Sequence, residues 1–125
     1  MTIALWCVLA AGLIHLPFAF GAKWSRRFDN ARPRSYFDQL SGWRQRSYWA
    51  QLNTLEVFPL FAAGVVICHL LAGPNATADQ LALGFIASRI VFGLLYIADR
   101  ATLRSLVWML GQACVIGLFV VAARA

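Results

Sequence analysis

Three observations in the sequence predict an all-α fold, a transmembrane four-helix bundle. Hydrophobic residues make up 61% of the chain and the mean hydropathy is +0.67, well above the values of soluble domains. The apolar residues gather into four stretches, at about 2–22, 47–72, 78–99 and 104–123, each close to the ~20 residues that cross ~30 Å of hydrocarbon. These stretches are too long and too uniformly apolar for the alternating strands of a barrel, which leaves helices to satisfy the backbone inside lipid. The 125 residues, 1–125, read as a single membrane domain without repeat or low-complexity tract.

The first span, MTIALWCVLAAGLIHLPFAFGA, lacks a positive n-region and has a longer apolar run than a signal peptide. It is expected to be a retained helix, kinked at Pro17, with His15 as a packed interhelical hydrogen-bonder rather than a ligand or base. The long loop that follows interleaves Arg with Trp24, Phe28, Tyr36, Phe37 and Trp43. Two readings fit it, an interfacial segment with aromatic anchors and a substrate clamp. The second span starts near Ser47 with YWAQLNTLEVFPLF, and Pro59 is expected to bend it. AGPNAT is a turn signal, and Asn75-Ala76-Thr77 matches a glycosylation sequon only at the weak level of three residues. The third span carries SRIVFGLLYIADR, a turn is expected near Ala101–Leu103, and Gln112 is the one mid-span polar side chain of the fourth. Cys7, Cys68 and Cys114 lie in three different spans with no CxxC, so they read as small buried hydrophobes and no metal site is expected.

Charge sets the expected orientation. The formal net charge is +6, and Lys23, Arg26, Arg27, Arg32, Arg34, Arg44 and Arg46 fall in or beside the first loop, with Arg100 and Arg104 beside the third. The second loop has no Lys or Arg and carries Asp79. This positive-inside pattern places loops one and three in the cytoplasm and both termini outside it, in a multi-pass protein of a bacterial-type inner membrane. Arg124 is the exception. The basic residues thus serve topology and contact with the lipid bilayer, and nucleic acid is not an expected partner.

Two spans carry ionisable residues, which insertion scales charge at about 2.5–3.5 kcal/mol each at the bilayer centre. Asn53 and Glu56 are three apart on the second span and share a side, with Arg46 on nearly the same face. Arg89, Phe92, Gly93, Tyr96 and Arg100 follow i, i+3, i+4, i+7 spacing on the third. One reading is a polar pocket open to the cytoplasmic interface. The other is a buried Glu56–Arg89 ion pair that fixes helix register. One carboxylate cannot neutralise Arg46, Arg89, Arg100 and Arg104, so a missing anion is expected, either a lipid headgroup or a soluble carboxylate-bearing ligand whose amine Glu56 would meet.

A-Q-L-N-T-L-E-V-F-P-L-F on the second span, followed by R-I-V-F-G-L-L-Y and a nearby L-R, resembles the MAPEG family, the membrane-associated proteins of eicosanoid and glutathione metabolism. The resemblance covers most of the chain, and its N-x-x-E-x-x-P core is the more specific part. It implies a homotrimer that binds glutathione as co-substrate at subunit interfaces near the cytoplasmic face, with lipophilic electrophiles arriving from the bilayer. By position, Asn53 and Glu56 would hold the glutathione backbone and its γ-glutamyl amine, Arg89 and Tyr96 would contact the tripeptide, and Arg104 would be the catalytic residue that stabilises the thiolate. Arg46 and Arg100 complete the expected binding set. Trp49, Val57 and Phe92 stand where glutathione-binding members carry Arg and two tyrosines, and Arg46 is the expected substitute for the first.

The expected function is therefore a glutathione or related-thiol transferase or peroxidase acting on lipophilic small molecules. The alternative is a non-enzymatic membrane protein that binds an anionic lipid or a partner through the same pocket. A small transporter subunit fits less well, because paired broken helices and inverted repeats are lacking.

Overall fold

A computed structural model describes residues 1–125 as six helices: α1 (Ile3–Leu13), α2 (His15–Lys23), α3 (Pro33–Phe37), α4 (Gly42–Ala72), α5 (Ala76–Ile97) and α6 (Ala101–Ala123). Four segments are long and apolar enough to cross a membrane, the first formed by α1 and α2 together. The chain is an all-helical membrane-type bundle. α5 packs chiefly on α6, α2 on α4, and α1 on α5 and α4.

The break between α1 and α2 falls at Ile14, directly after Leu13. Leu13 is the residue whose carbonyl the Pro17 ring would strike and whose hydrogen bond Pro17 cannot make. His15 Nδ1 donates to Gly12 O at 3.0 Å, so its bond spans the break within one segment instead of reaching another helix. Pro59, by contrast, lies inside an unbroken α4. That helix also starts earlier than expected, at Gly42 rather than Ser47, which lifts its first turns clear of the apolar stretch.

Loop one folds onto the end of the bundle. Tyr36 Oη donates to Ala22 O (2.9 Å), Arg44 Nε to Trp24 O (2.7 Å) and Ser47 Oγ to Phe18 O (2.7 Å). Phe37 stacks on Tyr48 with centroids 4.4 Å apart. The interleaved aromatics thus tie the loop to the starts and ends of the helices it joins. α3 lies within it, led by Pro33 in the first helical turn, where a missing N–H costs nothing.

At the opposite end, Asn75 caps α5 by accepting from Thr77 N and Ala78 N at 2.9 and 3.1 Å. The sequon match is therefore explained as a helix start. Asp79 Oδ1 accepts from Ala4 N at 2.7 Å and pins the first turn of α1 to that of α5. α4 stops at Gly73, whose φ of +65° is cheap only for glycine.

The α5–α6 connection is tighter than expected, three residues at 98–100 rather than a turn at 101–103. Arg100 N bonds Leu95 O, Asp99 N bonds Tyr96 O, and Asp99 has φ +59°. This is the paired bonding of a Schellman stop with Asp in the left-handed position. It reverses the chain at once, so α5 and α6 become antiparallel neighbours. Lys23, Arg44, Arg46, Arg100 and Arg104 all sit at this end, the basic end of the bundle.

Candidate functional site

The bundle has two interiors. Away from the basic end, Ala4, Cys7, Ala11, Phe61, Val65, Cys68, Phe85, Val115 and Leu118 form a core without a polar side chain. Cys7 and Cys68 are buried in it as small hydrophobes. Toward the basic end the buried set changes to Phe18, Ala22, Ser47, Ala50, Thr54, Ser88, Arg89, Phe92 and Gly93. Gly93 is there by necessity, because a Cβ on it would lie 1.9 Å from Cζ of buried Phe18.

Arg89 is only 2% exposed, and its hydrogen bonds identify what holds it. Nη2 donates to Asn53 Oδ1 at 3.0 Å and to Thr54 Oγ1 at 3.1 Å, while Cζ lies 4.0 Å from the Phe92 ring centroid. Thr54 also donates to Ala50 O at 2.8 Å, which aims its lone pair at Arg89. Asn53 Nδ2 in turn donates to Glu56 Oε2 at 3.3 Å. Of the two readings open in the sequence, the direct Glu56–Arg89 ion pair is not what forms. Asn53 stands between them, with its acceptor turned to the arginine and its donors to the carboxylate. Arg89 is an interior strut that orients Asn53, and its Nε is buried without a partner.

The remaining expected site residues separate into those gathered here and those placed elsewhere. Arg104 lies with Cζ 4.1 Å from the Tyr96 ring centroid, a cation–π contact, and Tyr96 also meets Phe92 edge-on at 5.5 Å. Arg46 donates from Nε to Ile97 O at 3.1 Å and so caps the C-terminus of α5. It does not line the clefts beside Asn53. Arg100 is exposed in the α5–α6 turn and is also outside that lining. Val57 packs against the apolar core.

Two open clefts meet at Asn53 and Tyr96. One, of about 370 Å³, is lined by Trp49, Leu52, Asn53, Glu56 and Tyr96. The other, of about 420 Å³, is lined by Asn53, Phe92, Tyr96, Arg104, Ser105, Trp108 and Met109. Thr54, Ser105, Trp108 and Met109 escaped the reading of the sequence. Thr54 carried a usable signal, a hydroxyl beside Asn53 in an apolar span. Trp108 and Met109 look like ordinary lipid-facing residues until α6 is folded against α5.

Three of the four arginines of the expected set are held by uncharged groups. Arg89 is bound by two side-chain oxygens, Arg46 by a helix end and Arg104 by an aromatic face. Glu56 and Arg100 are both left exposed without an ion pair. Chemically, the first cleft offers a carboxylate and an amide beside two aromatic rings, and the second offers a guanidinium, a hydroxyl and a wall of Trp and Met.

A family model described as "MAPEG family" matches residues 3–124, nearly the whole chain. No curated protein and no solved structure gives a significant match to it.

Proposed function

The chain belongs to the MAPEG family, and from that premise we propose that it is an integral-membrane transferase or peroxidase that uses glutathione or a related thiol against lipophilic electrophiles. The observation that carries this reading is the pairing of Glu56, presented by the Arg89–Asn53 strut, with Arg104 across Tyr96. A thiol ligand with an amine can meet the carboxylate with one end and bring its sulfur toward the guanidinium. The positive charge favours the ionised thiolate, which is the nucleophile.

In this mechanism Arg104 holds the thiolate, and Ser105, Trp108 and Met109 form the wall along which an apolar electrophile enters from lipid. Attack forms a carbon–sulfur bond and expels the leaving group of the electrophile; with a hydroperoxide, the thiolate takes the terminal oxygen as the O–O bond breaks, the alkoxide takes up a proton and leaves as an alcohol, and a second thiol converts the sulfenic acid to a disulfide with loss of water. The protein supplies position and a fixed positive charge, and concentrating both reactants at one depth of the bilayer does the rest. Glu56 and Asn53 are open on the surface of a single subunit, which suits a homotrimer in which a neighbouring copy closes the site. The basic end is assigned to the cytoplasm by the positive-inside rule, with both termini outside, in a bacterial inner membrane.

The test is conjugation of a general electrophile by the full-length protein in detergent micelles, with glutathione and with small aminothiols. Activity above the uncatalysed rate, reduced at least about tenfold in Arg104→Ala, is expected. Absence of conjugation with every thiol removes the transferase reading.

A further inference from the structure

Loop one carries two clefts that the thiol site does not use. The first, of about 450 Å³, is lined by Lys23, Trp24, Ser25, Arg26 and Arg44, three cations with no carboxylate among them. The second, of about 350 Å³, shares Ser25 and Arg44 with it and adds the hydroxyls of Ser35, Tyr36 and Ser41 and the amide of Gln39. Its one carboxylate, Asp29, accepts from Ala31 N at 2.8 Å and shares the lining with Arg27.

The cations are held by groups that leave their charge unmatched. Arg44 donates from Nε to Trp24 O at 2.7 Å, and its Cζ stands 4.7 Å from the Trp43 ring centroid. That fixes one edge of the guanidinium and leaves both terminal nitrogens free to donate. Lys23 Nζ stands 5.3 Å from the Phe28 ring centroid, a contact that leaves its three donors for another acceptor.

The position of the cleft points to the occupant. Lys23 directly follows buried Ala22 at the end of the first span, where hydrocarbon gives way to headgroups. Leu16, Phe20 and Trp24 follow i, i+4, i+8 spacing along α2 and its C-cap and are 40%, 67% and 75% exposed, an apolar track that runs from the cleft toward the bilayer interior. A phosphate suits the charged cleft, because Arg44 offers paired N–H donors and Lys23 a point charge. The hydroxyls and amide next to it suit a hydroxylated substituent on that phosphate. A headgroup ammonium would find one carboxylate, already bonded and beside Arg27.

We propose that the joined clefts bind a phosphate ester with an uncharged, hydroxylated headgroup, of which phosphatidylglycerol is the lipid form. The phosphate lies between Lys23, Arg26 and Arg44, the glycerol toward Ser35 and Gln39, and the acyl chains along Leu16 and Phe20. Soluble glycerol phosphate carries the same headgroup chemistry, but the apolar track favours the lipid. The proposal goes beyond the thiol-site reading and shares no residue with it.

The experiment titrates dioctanoyl phosphatidylglycerol into the full-length protein in maltoside micelles and follows binding by calorimetry, with dioctanoyl phosphatidylcholine as the comparison lipid. Phosphatidylglycerol is expected to bind about tenfold or more tightly. Lys23→Gln and Arg44→Gln are each expected to weaken it about fivefold or more, whereas Arg34→Gln, which removes the same charge from loop one outside both clefts, changes it less than about twofold. Lys23→Arg keeps the charge at the cleft, retains most of the affinity and guards against a folding artefact. Displacement of the bound lipid by glycerol 3-phosphate at comparable concentration assigns the site to a soluble ester, and persistence of the lipid assigns it to the bilayer; both support the cleft and differ only in its occupant.

Equal binding of the two lipids, or equal losses in Arg34→Gln and Arg44→Gln, overturns the proposal, since either result describes a charged loop with no site in it. The ligands carry no thiol. Failure here therefore leaves the transferase reading standing, and failure of conjugation leaves the phosphate site standing.

Discussion

The half of the bundle away from the basic end and the half toward it are built from the same helices, yet they solve different problems. In the first, Phe61 stacks on Phe85 with centroids 4.0 Å apart, and the surrounding Ala, Cys, Val and Leu side chains carry no polar atom other than sulfur. Lipid is as apolar as these residues, so close packing, rather than the hydrophobic effect, must hold this half together. In the second, Ser47, Thr54, Arg89 and Asn53 bind each other or a neighbouring carbonyl. Most of the buried polar groups satisfy one another, Arg89 Nε and Gln51 Oε1 being the exceptions, while Glu56 and Arg104 face the clefts. The division teaches that a charge inside a span is better judged by its partners than by its depth: Arg89 is bound, whereas Glu56 is left open.

If the first half is held by packing, truncating its central aromatic produces the largest loss. Phe61→Ala is expected to destabilise the folded protein by about 3–5 kcal/mol, read as a fall in unfolding midpoint in detergent, with thiol affinity little changed in the fraction that remains folded. A strong, selective loss of binding in that variant would erase the distinction between the halves.

Gly93→Ala sharpens the comparison from the other side, because it overpacks the second half. The added methyl meets Phe18, whose ring is buried, and a cost of about 1–3 kcal/mol is expected. Phe18→Leu in the same chain should recover part of the loss in a thermal-shift assay, and no recovery would place the strain elsewhere.

Arg89→Lys separates support from binding. A lysine cannot span Asn53 and Thr54 with a planar fork, so Asn53 is freed to turn. A fall of about fivefold to tenfold in thiol affinity is expected, about 1–1.4 kcal/mol, with membrane insertion intact. Unchanged affinity would show that Asn53 needs no strut.

The smallest effect is expected at the α5–α6 turn. Asp99→Gly relieves a left-handed backbone and should be neutral or stabilising by up to about 1 kcal/mol in the same thermal assay. Destabilisation there would mean that the Asp99 side chain contributes more than its backbone costs.

The four spans were legible from composition and length, because a helix that crosses lipid must be uniformly apolar over about 20 residues. Their ends were less so. Gly42–Gln45 is too polar to look like part of a span, but it extends α4 above one, and the stop at Asp99 uses a residue type less common there than glycine. The shared face of Asn53 and Glu56 followed from helical spacing alone. The roles of the arginines did not follow from spacing, since spacing places a residue on a face without saying what crosses from the facing helix. Arg89 is taken by Thr54 and Asn53, and Arg46 by the carbonyl of Ile97, through contacts that span 35, 36 and 51 residues of chain. Trp49 shows the converse, a residue that reads as a lost ligand contact in one dimension and as the wall of a cleft in three.

The most direct test of the division is the absorbance of bound thiolate as a thiol is titrated into the detergent-solubilised protein, compared among wild type, Glu56→Gln, Arg104→Ala and Phe61→Leu. Wild type and Phe61→Leu are predicted to show the same saturating thiolate signal, Glu56→Gln to require about tenfold more thiol, and Arg104→Ala to show little ionised thiol at saturation. A signal lost in Phe61→Leu but unaffected in Glu56→Gln and Arg104→Ala would contradict the assignment of the site to the basic end.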